Sequence, residues 1–291
     1  MDNRKLVFIV VILLLLLLCF YNCKKDEVLT VTSHKIALPS QPQTTERPAY
    51  LGRPVIDAFA VVSPAIVDYT PLKYGALYNW YAATDVRGIS SGGGWGVPSI
   101  VEFNLLLQII EPNADANNNE AGKSLKELGF VYWDENGGLG NNVFEFNGRG
   151  AGNRLYGDGS FSLLKNILYL YTNSKTSDFV PIATLNSYND IFNIGDVVNF
   201  KNGNSIRLFR PATLTEQLQA DGTPCANYTG NDGKVYRTVK IGIHVWLADN
   251  LCETEFLTGE AIPIVTENSA WAGLRNAGMC YYNNDITNAL E

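Results

Sequence analysis

The chain has 291 residues, with 22 Lys or Arg against 29 Asp or Glu, which gives a formal net charge of −7 at pH 7. A surface of this charge has no long-range attraction for nucleic acid phosphates or anionic lipid, so nucleic acid is excluded as a partner. The length and the 46% of hydrophobic residues allow one large core or two smaller ones.

Residues 1–22 are predicted to be a lipoprotein signal peptide. Arg4 and Lys5 precede an apolar run over residues 6–20, which is shorter than the roughly 20 residues that a spanning helix needs. The run is followed by Cys23, as in a bacterial lipoprotein signal, and this resemblance implies that Cys23 is lipidated. An uncleaved anchor helix is the alternative. We expect a membrane-anchored protein of the cell envelope, an outer-membrane lipoprotein facing the periplasm or the exterior.

Residues 23–54 are predicted to be a tether between the membrane and the folded body. Pro39, Pro42 and Pro48 lie among Ser, Thr and Gln, with little apolar periodicity. Apolar character returns over residues 55–69, where one or two edge strands are expected and the folded body begins.

The next segment combines an aromatic strand with two short helices. Residues 74–82 are rich in aromatic side chains and predict a strand. Ser99 and Glu102 have the spacing of a capping box at the start of a helix that Pro112 closes. A second helix is expected over residues 120–128, with Gly129 at its C-cap.

Further strands are predicted by short apolar runs between Gly and Asn residues, at 143–146, 167–171, 197–200 and 206–209. Two early helices followed by several strands define an α+β domain. Residues 214–231 are interpreted as a linker with one helical turn at 214–218. Alternation over residues 234–241, then Gly242, then residues 244–247 predict a hairpin, and a last short helix is expected at 269–274.

Three cysteines follow Cys23, namely Cys225, Cys252 and Cys280, all in the last quarter of the chain. In an oxidising compartment an odd number allows one disulfide and one free thiol. The sequence leaves the pairing open.

Two ordered sets of motifs resemble the Fibrobacter succinogenes major paralogous domain. The leading half of that family is similar to DGKVYRTVKIG at 232–242, VWLADNL at 245–251, AIP at 261–263, AW at 270–271 and YNND at 282–285. The trailing half is similar to YGALYNWYA at 74–82, GWGVPS at 94–99, EF at 102–103, GKSLK at 122–126 and SIR at 205–207. Residues 55–213 are therefore assigned as the trailing half and residues 232–291 as the leading half, in permuted order. They either complete one domain or form a domain followed by a partial second copy.

The block from Trp95 to Phe103 and the strand containing Arg207 are also similar to C-type-lectin-like and formylglycine-generating-enzyme-like domains. This resemblance implies a compact C-type-lectin-like α+β domain with short strands, two short helices and long loops. The ligand face of such a domain is built from loops. Fold alone does not give function.

Histidine and cysteine are almost absent from the body of the chain. His34 and His244 are the two histidines, and residues 24–224 contain no cysteine. Ser-His-Asp, Cys-His and His/Cys zinc arrangements are therefore excluded from the main body, and we expect no enzyme activity. Glycoside hydrolysis remains an alternative, because it needs only a pair of carboxylic acids. The candidate acids are Glu102, Glu111, Asp134, Glu135 and Glu145.

A weak ligand-binding signal lies just after the first helix. Glu111-Pro112-Asn113 spells the tripeptide with which many C-type lectins hold calcium and a sugar, and Trp133-Asp134 follows where a second ligand pair would come. Calcium is the one cofactor to test, with Glu111 and Asn113 as candidates. Trp95, Trp133 and Trp80 are candidates for stacking on a sugar, with Trp95 and Trp133 preferred. The alternatives are that Pro112 simply ends the helix and that the tryptophans fill the core.

These observations predict an exported, lipid-anchored, non-enzymatic surface protein that binds a ligand or mediates adhesion, with a glycan or a surface protein as its partner. The second hypothesis is a structural or assembly component of a surface or virion-like particle, in which the domain packs against copies of itself. A polysaccharide-acting enzyme is the third.

Overall fold

Short strands joined by tight turns dominate the structure, as the frequent Gly and Asn residues require. The computed structural model describes residues 69–115, 118–135 and 137–291. The predicted signal peptide, the lipidation site Cys23, the tether 23–54 and the expected edge strands at 55–68 lie outside the described residues.

Helices are few and short in the described part of the chain. They are α1 (Trp80–Ala83), α2 (Ile100–Ile110), α3 (Ala121–Leu125), α4 (Leu214–Gln217) and α5 (Asn268–Gly273). The strands are β1 (Leu77–Tyr78), β2 (Ala151–Arg154), β3 (Phe161–Leu164), β4 (Ile167–Tyr171), β5 (Val180–Asn186), β6 (Asn193–Val198), β7 (Phe209–Pro211), β8 (Thr223–Pro224), β9 (Tyr228–Thr229), β10 (Val235–Tyr236), β11 (Thr238–Ile241), β12 (His244–Leu247) and β13 (Met279–Cys280). The fold is α+β, as predicted.

The larger sheet has the strand order β3-β2-β4-β5-β6. Its pairs are antiparallel except β2 and β4, which meet in parallel at Gly152 and Leu168. Strand β4 pairs with β5 over its whole length, from Ile167 opposite Asn186 to Tyr171 opposite Ile182. The predicted strand 167–171 is therefore confirmed.

The second sheet has the order β7-β12-β11-β8 and is built around the predicted hairpin. Ile241 pairs with His244 across a turn in which Gly242 has a φ of 61°. Strands β8 and β9 both lie within residues 214–231 and pair with β11 and β10. The segment predicted as a linker is therefore part of the sheet structure.

The β1–β13 pairing joins the early and late parts of the chain, with Leu77 opposite Cys280. Two clusters of buried apolar side chains form the core, and each takes residues from before 213 and from after 232. In the first cluster, Phe103 stacks on Trp246 with 5.5 Å between ring centroids. In the second, Tyr78 donates a hydrogen bond from its hydroxyl to the carbonyl of Glu253.

Helix α2 begins as predicted. The Ser99 side chain accepts the amide of Val101, and the Glu102 carboxylate accepts the amide of Ser99 at 2.6 Å. This capping box satisfies amides that the first helical turn leaves free. The apolar face of α2 buries Phe103, Leu106 and Leu107 against the core.

The strand predicted over residues 74–82 is much shorter in the structure. Only Leu77 and Tyr78 are in a strand, because the next residue, Asn79, caps α1 by accepting the amide of Ala82 at 3.0 Å. Asparagine at an N-cap competes effectively with continued pairing.

The strand predicted at 143–146 is also wrong. Asn142, Glu145 and Asn147 have positive φ values near 50°, and Asn147 donates its amide to the side chain of Asn142. This is a turn, in a backbone region that asparagine tolerates better than most residues.

Helix α3 is shorter than the predicted 120–128. It stops at Leu125 because Lys126 becomes extended and bridges to Gly148, so Gly129 is not its cap. Residues 197–200 and 206–209 are likewise only partly strand, in β6 and β7. Cys225, Cys252 and Cys280 are all free thiols, so no disulfide joins them.

Candidate functional site

A polar cleft of about 630 Å³ lies beside helix α1. Trp80 lines it from the helix, Asp85 and Ser90 line it from the following loop, and Asn173 and Lys175 line it from the loop after β4. The cap at Asn79 sets the direction of α1 and thereby brings Trp80 to the cleft. These loops contain no helix or strand, so side-chain hydrogen bonds fix their conformation.

Trp80 forms a fixed aromatic wall of the cleft. Its indole Nε1 donates to the carbonyl of Thr172 at 3.0 Å, and its ring packs on Phe200 with 5.1 Å between centroids. The side chain is only partly buried. A tryptophan held by both a hydrogen bond and a neighbouring ring loses little entropy when a ligand stacks on it.

The carboxylate of Asp85 is already neutralised. Arg87 donates from Nε and Nη2 to the two oxygens of Asp85 at 2.8 and 2.9 Å. These hydrogen bonds hold the pKa of Asp85 below its usual value. The acid is therefore ionised and oriented, but its charge is balanced by a partner.

Lys175 contributes a positive charge to the cleft. Its ammonium lies 5.7 Å from the centroid of the Trp80 ring, within cation–π range. Among the described residues no carboxylate comes within ion-pair distance of Lys175. Close to Lys175, Asn173 donates its side-chain amide to the carbonyl of Val97 at 2.9 Å.

The predicted sugar-stacking residues are not in the cleft. Trp133 is 2% exposed, and its Nε1 donates to the carbonyl of Gly148, so its ring is core. Asp134 follows it and is tied to Lys165 through its own amide. Trp95 is half-buried, with its ring packed on Tyr228, and it borders the cleft through its carbonyl, which accepts the Ser90 hydroxyl at 2.8 Å.

The predicted calcium ligands lie at a different place. Glu111 caps the end of α2 and accepts the amide of Glu120 at 2.7 Å, and it lines a smaller cleft of about 470 Å³ with Asp190. Asn113 is exposed in a turn with a φ of 74°. Within the described ranges, no group of three His, Cys, Asp or Glu side chains is arranged to hold a metal ion.

A buried acid pair lies behind the cleft. Glu253 is fully buried and accepts the backbone amides of Asn231, Asp232, Thr254 and Glu255. Burial and the neighbouring Asp232 carboxylate raise the pKa of Glu253 to about 7. Although burial opposes it, hydrogen bonds from Lys234 and Thr254 hold the pKa of Asp232 below its usual value. Backbone and side-chain donors already bind both carboxylates. The two acids therefore stabilise the loops at residues 231–232 and 254–255.

His244 packs as a strand residue. Its ring meets Phe209 edge-on at 5.1 Å between centroids, and burial lowers its pKa. No carboxylate within ion-pair distance of it occurs in the described chain. The ring therefore contributes to packing beside Trp246.

Sequence reasoning missed Asp85, Asn173 and Lys175. Trp80 was named from the sequence as a stacking candidate, but Trp95 and Trp133 were preferred to it. Asn173 and Lys175 lie more than 90 positions after Trp80, and no local sequence pattern indicates that they line the same cleft.

Comparisons of the chain with models of known protein families, with curated proteins and with solved structures gave no match. In the described ranges, none of the helices has both the length and the apolar character needed to span a bilayer.

Proposed function

We propose that this chain is an exported, lipid-anchored, non-enzymatic surface protein with a C-type-lectin-like domain, and that it binds a saccharide in the Trp80 cleft. The observation that carries the proposal is the fixed Trp80 ring beside polar side chains in an open cleft of about 630 Å³. The apolar face of a sugar stacks on an aromatic ring, while its hydroxyls need donors and acceptors at the ring's edge.

The chemistry of the cleft suits weak and reversible binding. Stacking on one aromatic ring and a few net hydrogen bonds together give about 4–5.5 kcal/mol, which corresponds to a Kd of roughly 0.1–1 mM per site. Surface adhesion commonly raises such an affinity through many copies on one membrane.

Lys175 makes an acidic saccharide the preferred ligand. The charge of Asp85 is balanced by Arg87, whereas Lys175 has no carboxylate partner in the described chain. Because Lys175 is exposed, an ion pair between its ammonium and a sugar carboxylate is worth up to about 1 kcal/mol, or roughly fivefold in affinity. We therefore expect uronic-acid oligosaccharides to bind more tightly than neutral ones.

The same cleft offers little for catalysis. Asp85 is held by Arg87, and the acid pair behind the cleft is buried and bound by backbone amides. A calcium requirement is not part of the proposal.

The test is a glycan array followed by calorimetric titration of the positive sugars. Trp80→Ala should abolish binding, Asn173→Ala should weaken it, and Lys175→Gln should reduce the preference for uronic acids over neutral sugars. Tyr188→Ala, which removes a ring that is 68% exposed outside the cleft, is the matched control. Binding that survives Trp80→Ala with unchanged Kd, or no binding to any glycan, would reject the proposal.

The anchor has its own test. Cys23→Ser should abolish metabolic labelling with fatty acid and release the protein from membranes. Labelling that persists in this variant would show that Cys23 is not lipidated and would favour the anchor helix.

A further inference from the structure

The solvent-facing side of helix α2 is apolar. Val101, Leu105 and Ile109 are 57%, 41% and 40% exposed and follow one another at intervals of four residues. This spacing places them in one row on the helix surface, opposite the buried face. A surface helix normally carries charged side chains in such a row.

The row continues across the β11–β12 hairpin. A Cβ atom built on Gly242 would lie only 2.7 Å from Cγ1 of Ile109, so the turn and the helix are in contact. Ile243, the next residue of that turn, is 52% exposed. Its carbonyl accepts the amide of Ala212 at 2.9 Å, which places the start of α4 alongside.

Helix α4 adds the two most exposed leucines of this region. Leu214 and Leu218 are 83% and 88% exposed. Together with the α2 row and Ile243 they form what we call the α2 face: Val101, Leu105, Ile109, Leu214, Leu218 and Ile243. Its exposed fractions correspond to about 600 Å², at the upper end of the apolar patches found on monomers, and patches of this size mark interaction sites.

Glu102 is the one charged side chain of α2, and its half-buried carboxylate beside the row accepts the amide of Ser99. Asn104 and Gln108, the polar residues between the aliphatic side chains of the α2 face, are uncharged and donate their amides to carbonyls of their own chain. At the rim, Arg210 pairs with Glu216, and Lys240 pairs with Asp221. A face with a dry apolar centre and paired charges at its rim has the anatomy of a protein interface.

We propose that the α2 face binds a second copy of this chain. Two copies of the face bury about 1,200 Å², the lower bound of a standard protein interface. Apart from Glu102, whose carboxylate is engaged by the Ser99 amide, the charged side chains named at this face are paired within the chain, which favours self-association despite the net charge of −7. A lipid surface is the less suitable occupant, because helices that lie on membranes surround their apolar side with unpaired Lys and Arg.

The row on α2 fixes the geometry of the pair. A two-fold axis through Leu105, the middle residue of the row, makes each α2 helix pack antiparallel on its copy, with rows at intervals of four interdigitating at a crossing angle of about 50°. Leu105 then faces Leu105 of the second copy. Val101 faces Ile109 in both directions.

Sedimentation equilibrium of the full chain in density-matched non-ionic detergent tests this arrangement. The wild type should form dimers, and Leu105→Glu should raise the dimer Kd at least about tenfold, because two carboxylates would meet at the axis. Leu128→Glu is the matched control: its leucine is 67% exposed outside the α2 face, and its Kd should equal that of the wild type.

A mixture gives the decisive result. Equal amounts of Leu105→Glu and Leu105→Lys should form a heterodimer at least about tenfold tighter than either homodimer, since opposite charges then meet at the axis. The same Kd for the wild type and Leu105→Glu would overturn the proposal and leave the face to a different partner. Failure of the mixture to restore association would overturn the two-fold arrangement.

Discussion

Glu253 makes the stability of the folded domain depend on pH in an unusual direction. Its side chain is fully buried, and burial together with the Asp232 carboxylate raises its pKa to about 7 from an ordinary value of 4.5. Between these two values the folded protein keeps a proton that the unfolded chain has released. We therefore expect the contribution of Glu253 to stability to be complete below pH 4.5 and to be lost as the pH rises through 7.

The size of the effect follows from the two pKa values. Their difference of about 2.5 corresponds to a loss of roughly 3 kcal/mol between pH 4.5 and pH 8. A domain of this size has a urea m-value of about 2–3 kcal/mol/M, so the unfolding midpoint should fall by about 1 M. His244 acts in the opposite direction, because burial lowers its pKa and favours folding as the pH rises toward 6.5.

Urea unfolding at pH 5 and pH 8 measures this dependence. Glu253→Gln should remove it, and because both proteins contain His244, their difference isolates Glu253. Glu255→Gln, which changes a neighbouring glutamate in the same loop, is the matched control and should keep the dependence. A wild-type midpoint that is lower at pH 5 than at pH 8, with the difference lost in Glu253→Gln, would show that the four amide donors outweigh burial and would refute the reasoning.

Three further changes test the core. Trp271→Ala should lower the free energy of unfolding by about 3–5 kcal/mol in urea titrations, since the ring is fully buried; a loss below 1 kcal/mol would contradict this packing. Arg207→Met should cost about 3 kcal/mol or more in the same assay, because four oxygens lose their guanidinium donor, and wild-type stability would contradict that role. Iodoacetamide should modify Cys225 at least about tenfold faster than the buried Cys252 and Cys280 in mass spectra of the unreduced protein; equal rates, or a disulfide, would contradict the free and unequally exposed thiols.

The parts of the fold that sequence reasoning predicted correctly depend on local interactions. The capping box of Ser99 and Glu102 satisfies its own helix end, and the hairpin around Gly242 is closed by a glycine with positive φ. Such signals need no distant partner. They hold in any tertiary context that leaves the residues beside one another.

The remainder was decided by contacts between distant residues. Lys126 leaves α3 because its ammonium reaches the carbonyls of Gly138, Asn186 and Asn189 and the carboxylate of Asp190. The helical sequence pattern around Lys126 does not indicate these four distant hydrogen-bond acceptors. The Trp80 cleft was missed for the same reason, since a single sequence contains no signal that pairs its two loops.

The closure of the chain at residues 70–75 has a mechanical consequence. Thr70 donates its amide to Val235, Lys73 and Tyr74 donate theirs to Ala289 and Asn288, and Glu291 donates back to Pro71, at 2.8 to 3.1 Å. A pull transmitted from the residues ahead of Thr70 would load these hydrogen bonds together before it reached the Trp80 cleft. A ligand held in the proposed site under flow would put the same tension on the cleft and on these hydrogen bonds, so the attachment could last only as long as the bonds at residues 70–74 hold.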